Sequence, residues 1–214
     1  MRRLMRKLTV LCAVAACSIL LATSGLHAAA DFATPPSIDK YMTPENIADL
    51  KDGDVVKENI MSKTPDGKDK GTGVGLVWIK ATPEAVMSQL DTFPTYKEWM
   101  PNVEETKVVK REGKRVDVFF KLSILGNEVH YTTIHEIDKE NNVIRFRCDD
   151  SAPKKNVEDF TGAWVLKPFE GGTILAYTLD LNTGMAVPGF IQKWLSNAGL
   201  KKTVKAVKEQ VEGK

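Results

Sequence analysis

Hydrophobic and polar positions alternate through the middle of the chain and recur at three-to-four spacing near its end, a pattern that predicts a sheet followed by a helix. Between residues 103 and 182, alternating segments such as "RVDVFFKLSIL", "VHYTTIHEID", "VIRFRCD" and "TILAYTLDLN" are separated by turn-forming "EGK", "GNE", "KENN" and "FEGG". The pattern predicts an antiparallel meander of five strands. Val116, Val118, Phe120, Leu122 and Ile124 share one side of their strand, Ile144, Phe146 and Cys148 one side of theirs, and Leu175, Tyr177, Leu179 and Leu181 another. One face of this sheet therefore needs a cover. A long C-terminal helix opening at Pro188 supplies it, with Phe190, Ile191, Trp194, Leu195 and Ala198, then Leu200, Val204, Val207 and Val211, on its apolar stripe. Asn197 and Gly199 are positioned to interrupt or bend that helix.

Upstream, residues 54–62 and 73–81 read as the arms of a first hairpin, with "KTPDGKDKG" as its loop. Two helix starts carry the same signature: Thr43 before Pro44, in a short helix closed by Gly53, and Thr82 before Pro83, with Glu84 in the first turn and Val86, Leu90 and Phe93 at helical spacing. Pro94 ends the second helix, and a shorter one follows before Pro101. That connector crowds Phe93, Tyr96, Trp99 and Met100 into a partly polar stretch. Either they plug an ordinary core or they cover a cavity that something else fills. The organisation is α+β: an arm and short helix over 31–53, then one domain over 54–214.

Residues 1–30 stand apart. Arg2, Arg3, Arg6 and Lys7 precede an apolar run from Leu8 that thins out at Thr23, Ser24 and Gly25, and "LHAAAD" offers small-residue cleavage sites. This is the layout of a secretory signal peptide, which predicts a periplasmic or secreted protein. A lipoprotein box at Val14-Ala15-Ala16-Cys17 and a retained membrane tether are the weaker alternatives. The leader carries four of the 30 basic residues and none of the 28 acidic ones, so its removal turns the formal charge from +2 to slightly negative. Such a balance gives no electrostatic footprint for nucleic acid. Cys12 and Cys17 leave with the leader, and Cys148 alone can form no internal disulfide.

Little in the sequence points to chemistry. His130 and His135 lie five residues apart on one strand, so they face opposite ways and cannot chelate one metal; no metal and no cofactor are expected. His135 shares a face with Val129, Tyr131, Thr133 and Ile137. Cys148 reads as a packing residue. "GTGVG" at 71–75 leads into an extended segment rather than a helix and so lacks the N–H row of a phosphate loop. Glu104-Glu105, Asp149-Asp150 and Glu158-Asp159 are neighbours that diverge on a strand. Gly162, two residues before Trp164, leaves a gap where a backbone or ligand can approach.

Three stretches, "IKATPEAVMSQLDTFPTYKEWMPNVEETKVV" at 79–109, "GAWVLKPFEGGTILAYTLDLNTG" at 162–184 and "VPGFI" at 187–191, give the chain a resemblance to a known family. Over about residues 72 to 212 the sequence resembles the START-like superfamily of polyketide cyclase/dehydrase and lipid-transport proteins, which includes coenzyme Q-binding START-like proteins. The resemblance implies a helix-grip fold, a curved antiparallel sheet wrapped around a long C-terminal helix, with an apolar cavity between them and "FPTYKEWMP" near its mouth. It implies binding and carriage or sequestration of a hydrophobic or amphipathic small molecule (lipid, isoprenoid or polyketide-like), with transient membrane contact. Trp99, Met100, Phe120, Tyr131, Phe146, Trp164, Tyr177, Phe190 and Trp194 are the candidate ligand-binding residues, and Tyr131, His135 and Tyr177 the polar handles. No catalytic residue is assigned. The alternative is a cyclase/dehydratase-type enzyme using His135 with Tyr131 or Tyr177 for proton transfer; a third possibility is a core filled by its own side chains.

Overall fold

The computed structural model describes residues 32, 34–35, 37–63, 69–152, 160–181, 189–196 and 198–213. The leader, the Glu158-Asp159 pair, Pro188 and Asn197 lie outside the described residues. Among the described residues, eight antiparallel strands form one sheet: β1 Val56–Lys63, β2 Asp69–Ile79, β3 Val103–Glu112, β4 Arg115–Ile124, β5 Asn127–Asp138, β6 Val143–Cys148, β7 Thr161–Phe169 and β8 Gly172–Leu181. Their order is β1-β2-β8-β7-β6-β5-β4-β3. The meander runs from β3 to β8, and the first hairpin joins it where β2 pairs with β8, Gly75 opposite Tyr177. "GTGVG" is thus paired strand.

The meander holds six strands, one more than the expected five, and all six, "VEETKVVKR" of β3 included, fall on alternating, β-rich segments of the sequence. β3 is an edge strand paired only with β4 and interrupted by two register shifts, and only Val103, Thr106 and Val108 along it are partly buried. Its weak alternation reflects that position: a strand with solvent on one edge and much of both faces has few apolar positions to count.

Five α-helices among the described residues accompany the sheet: α1 Pro44–Lys51, α2 Pro83–Leu90, α3 Tyr96–Trp99, α4 Gly189–Ser196 and α5 Gly199–Glu212. Both expected caps form, Thr43 Oγ1 accepting from Asn46 N–H at 3.2 Å and Thr82 Oγ1 from Ala85 N–H at 3.4 Å. A Thr cap of this kind is worth about 1 kcal/mol. A 3-10 turn over Phe93–Thr95 links α2 to α3, the short helical pair that the two prolines predict. The C-terminal helix is divided into α4 and α5, because Ala198 leaves helical geometry at φ −105°, ψ 9°.

Alternation within the strands builds two cores. On the concave face, Val77, Val86, Leu90, Val116, Val118 and Leu175 are among the wholly buried residues that meet Leu200, Val204 and Val207 of α5. On the convex face, Ile38, Tyr41 and Leu50 pack on Val74, Leu76, Ile174 and Ala176. The segment before β1 is therefore a second layer over the sheet, and Phe32–Lys214 form one compact unit. Lys208 and Glu212 fasten the end of α5: Lys208 pairs with Glu212 at 3.1 Å, and Glu212 Oε1 accepts from Lys80 N–H at 2.9 Å.

Candidate ligand cavity

The curl of the sheet and the offset of α4 from α5 leave a cavity of about 160 Å³ on the concave face. Strand β4 contributes Phe120, Leu122 and Ile124 to its wall, and β5 contributes Val129, Tyr131, Thr133 and His135. These are alternate residues, as a strand facing a cavity requires. Phe146, Trp164, Tyr177 and Leu179 continue the wall along β6, β7 and β8. Tyr96 and Met100 close it from the α3 side, and Ile191, Trp194 and Thr203 from α4 and α5.

Of the ten residues expected to bind a ligand, Met100, Phe120, Tyr131, His135, Phe146, Trp164, Tyr177 and Trp194 line the cavity, whereas Trp99 and Phe190 do not. Trp99 sits half-buried at the end of α3, its ring 4.9 Å from that of Tyr96 and its Nε1–H donating to Thr95 Oγ1 at 3.2 Å. Met100 leaves α3 in extended geometry, at φ −80° and ψ 125°, and meets the wall, whereas Trp99 packs on the Tyr96 ring and Thr95. Tyr96 takes the place expected of Trp99. Phe190 is half-buried on α4, beside the lining residue Ile191. Phe160, just before β7, also lines the cavity. The alternating stretch "FTGAWVLKP" puts Phe160 on the face of Gly162 and Trp164, but alternation alone does not say which residues of a face reach a cavity. The gap at Gly162 is taken by the protein itself, since a methyl group there would overlap the Phe146 ring and the Thr178 carbonyl.

The rings form a connected series. Tyr131 contacts Phe120 at 5.7 Å and Phe160 at 5.0 Å, Phe160 contacts Phe146 at 6.4 Å, and Phe146 stacks on Tyr177 at 5.8 Å. Tyr177 in turn lies 4.3 Å from Trp164. Offset and edge-on contacts of this kind fix ring orientations as well as burying area.

Polar groups in the wall differ in how far they are occupied. Tyr96 O–H donates to the Leu90 carbonyl at 2.6 Å, Thr133 O–H to the Val118 carbonyl at 3.3 Å, and Thr203 O–H to the Gly199 carbonyl at 3.0 Å. His135 is 4% exposed. Its Nδ1 lies 3.4 Å from Thr133 Oγ1 and its ring 4.6 Å from Phe93. Burial holds its pKa down to about 3, partly opposed by a hydrogen bond with the Val116 backbone and assisted by the charge of Arg111. The imidazole is therefore neutral at physiological pH. Burial likewise pushes the Tyr96, Tyr131 and Tyr177 phenols upward, and Tyr131 is raised further by Tyr177 and Cys148. Trp194 Nε1 is sealed from solvent without a partner among the described residues. His130 points away from the cavity, 3.6 Å from Glu128. Among the described residues no three His, Cys, Asp or Glu side chains cluster as a metal site.

A family profile described as "Polyketide cyclase / dehydrase and lipid transport" matches residues 76–212, which span every cavity-lining residue. Among solved structures, the protein TTHA0849 of Thermus thermophilus is 25% identical over 65% of this chain and 96% of its own, with a TM-score of 0.57. A STAR-related lipid transfer protein of Xanthomonas axonopodis is 17% identical over 72% of this chain and 98% of its own, with a TM-score of 0.58. The Zhui aromatase/cyclase of a Streptomyces species is 17% identical over 73% and 94%, with a TM-score of 0.55. The last two likenesses are of fold alone; together the three place the chain in the START-like helix-grip architecture. No curated protein matches the sequence.

Proposed function

The chain belongs to the polyketide cyclase / dehydrase and lipid transport family, and on that premise we propose that it holds a lipid, isoprenoid or polyketide-like molecule in the internal cavity and carries or sequesters it unchanged. The observation that carries this reading is the character of the wall: aromatic and aliphatic, with no Asp, Glu, Lys or Arg among the described lining residues. Burying apolar ligand surface yields about 25 cal/mol per Å² before the costs of ordering are met. On this reading a hydrophobic guest is held by enclosure, with no covalent chemistry called for. His135 supports the same view, because a base with a pKa of about 3 is badly matched to proton transfer near neutrality. The basic and then apolar leader supports action in the periplasm, with transient membrane contact for loading and release.

A second reading, a cyclase/dehydratase-type enzyme, draws on one observation: His135, Tyr131 and Tyr177 all line the cavity. It requires that His135→Ala abolish turnover while ligand affinity survives.

Native mass spectrometry of the protein purified from its own compartment, with organic extraction of what it holds, tests the carrier reading. A stoichiometric hydrophobic species recovered unchanged supports it. A bare mass that persists after incubation with membrane lipids counts against it.

A further inference from the structure

The cavity wall offers hydrogen-bonding groups that the protein leaves open. The hydroxyls of Tyr96, Thr133 and Thr203 are each committed to a backbone carbonyl. Those of Tyr131 and Tyr177 have no partner among the described residues, and neither is among the buried polar atoms closed off from a water-sized probe. Both side chains line the cavity, so their hydroxyls open onto it. They reach it from strands separated by β6 and β7 in the sheet order, and are linked through the Phe160 and Phe146 rings that lie between them. Each phenol has its body fixed by rings, Tyr131 by Phe120 and Phe160, Tyr177 by Phe146 and Trp164. Fixed donors lose little freedom on binding.

We infer that the cavity selects an uncharged amphipathic ligand whose polar end carries a carbonyl oxygen, of ketone or ester type, held by the Tyr131 and Tyr177 hydroxyls. The inference rests on the hydrophobic-ligand reading of this same site and narrows it. A carbonyl oxygen has two lone pairs and so accepts from two hydroxyls at once. An anionic head meets the opposite situation: no cation among the described lining residues compensates its desolvation, and a buried unpaired charge is strongly unfavourable. Burial raises both phenols above their ordinary range, which keeps them protonated as donors. Apolar positions such as Leu122, Val129, Leu179 and Ile191 remain for the rest of the molecule.

Three naphthalenes of similar size separate the possibilities by isothermal titration calorimetry at pH 7.5: 2-acetonaphthone, 2-ethylnaphthalene and 2-naphthoate. The expected order is ketone, then hydrocarbon, then carboxylate, with the ketone ahead of the hydrocarbon by roughly tenfold, the worth of about one net hydrogen bond. Tyr131→Phe and Tyr177→Phe, singly and together, are expected to bring the ketone-to-hydrocarbon ratio toward one. A carboxylate bound as tightly as the ketone, or a ratio unchanged in the variants, overturns the inference while leaving the hydrophobic-ligand reading standing. Failure of all three compounds to bind overturns that reading and the inference with it. Should a variant not fold, the comparison of the three ligands on the unaltered protein still decides the question of charge.

Discussion

The indole of Trp194 lies on Gly199, so closely that a methyl group at that Cα would overlap the ring. One residue opens α5 and the other belongs to α4, and their contact seats the cavity-lining indole at the junction of the two helices. Gly199→Ala would favour helix locally, since Ala is the better helix former by about 1 kcal/mol. Here the displaced ring should dominate, at an overpacking cost of about 1–3 kcal/mol. The expected outcome is a lower Tm, a shifted tryptophan emission spectrum and weakened binding of hydrophobic probes, with helical content retained by circular dichroism. An unchanged emission spectrum would show that the indole is not held there.

Trp99 and Trp164 provide a contrast between cover and wall. Trp99 donates to Thr95 outside the cavity, and Trp164 lines it. Trp99→Phe should cost about 1 kcal/mol for the lost hydrogen bond and leave the affinity for a hydrophobic probe unaltered. Trp164→Ala should change that affinity. Denaturant melts paired with probe titrations check both, and a large affinity loss in Trp99→Phe would return Trp99 to the site.

The parts of this structure that were legible in the sequence are those where one physical rule decides. Strand alternation assigned Val116 through Ile124 and Leu175 through Leu181 to one face because side chains alternate on a pleated strand whatever lies opposite. Thr-Pro marked the starts of α1 and α2 because the cap and the missing N–H both suit a first turn. Legibility ended where neighbours far apart in sequence decide. Whether Trp99 or Tyr96 reaches the cavity depends on the rotation of a four-residue helix fixed by its packing on β3. Phe160 alternates with Gly162 and Trp164, but that spacing names a face and not the cavity's position along it. The convex layer of Ile38, Tyr41 and Leu50 was hidden because Ala176 and Leu76 on the outer face read as ordinary strand residues. The two free phenols among several occupied hydroxyls could be told apart only from hydrogen bonds made by the folded chain.

His135 should leave a signature in the pH dependence of stability. Its folded pKa is held to about 3, whereas in the unfolded chain it titrates near the ordinary value of about 6.5. Between these values the unfolded state binds one proton more than the folded state, so stability declines as pH falls from about 6.5 toward 3. Above that window both states are neutral and the contribution is flat. The slope is at most about 1.4 kcal/mol per pH unit. Carboxylates add their own losses on acidification, Asp138 among them, its folded-state pKa lowered mainly by the Asn141 side chain. The difference between wild type and His135→Gln isolates the imidazole. Urea midpoints at pH 7, 6 and 5 should converge as pH falls, the variant losing less. Parallel losses would mean that His135 is protonated in the folded protein.

Filling the cavity separates binding from folding. Leu122 is half-buried on β4 and borders the void, so the extra atoms of Leu122→Trp can enter existing space rather than force neighbours apart. Overpacking penalties arise where no space exists, and a filled void regains dispersion contacts that an empty one forgoes. The apo Tm should therefore hold or rise. A ligand that occupies the same void has nowhere to go, and its stabilisation of the folded state, about 2.7 kcal/mol at a hundredfold excess over Kd, should disappear. Val109→Trp is the matched control, because Val109 is 59% exposed on β3 and the added ring there meets solvent. Thermal melts of both variants with and without a saturating hydrophobic ligand give the answer. A ligand-induced shift lost in Leu122→Trp and kept in Val109→Trp locates the site in the cavity. A shift kept in both places the ligand elsewhere on the molecule, and the cavity then becomes a packing defect that costs stability and binds nothing.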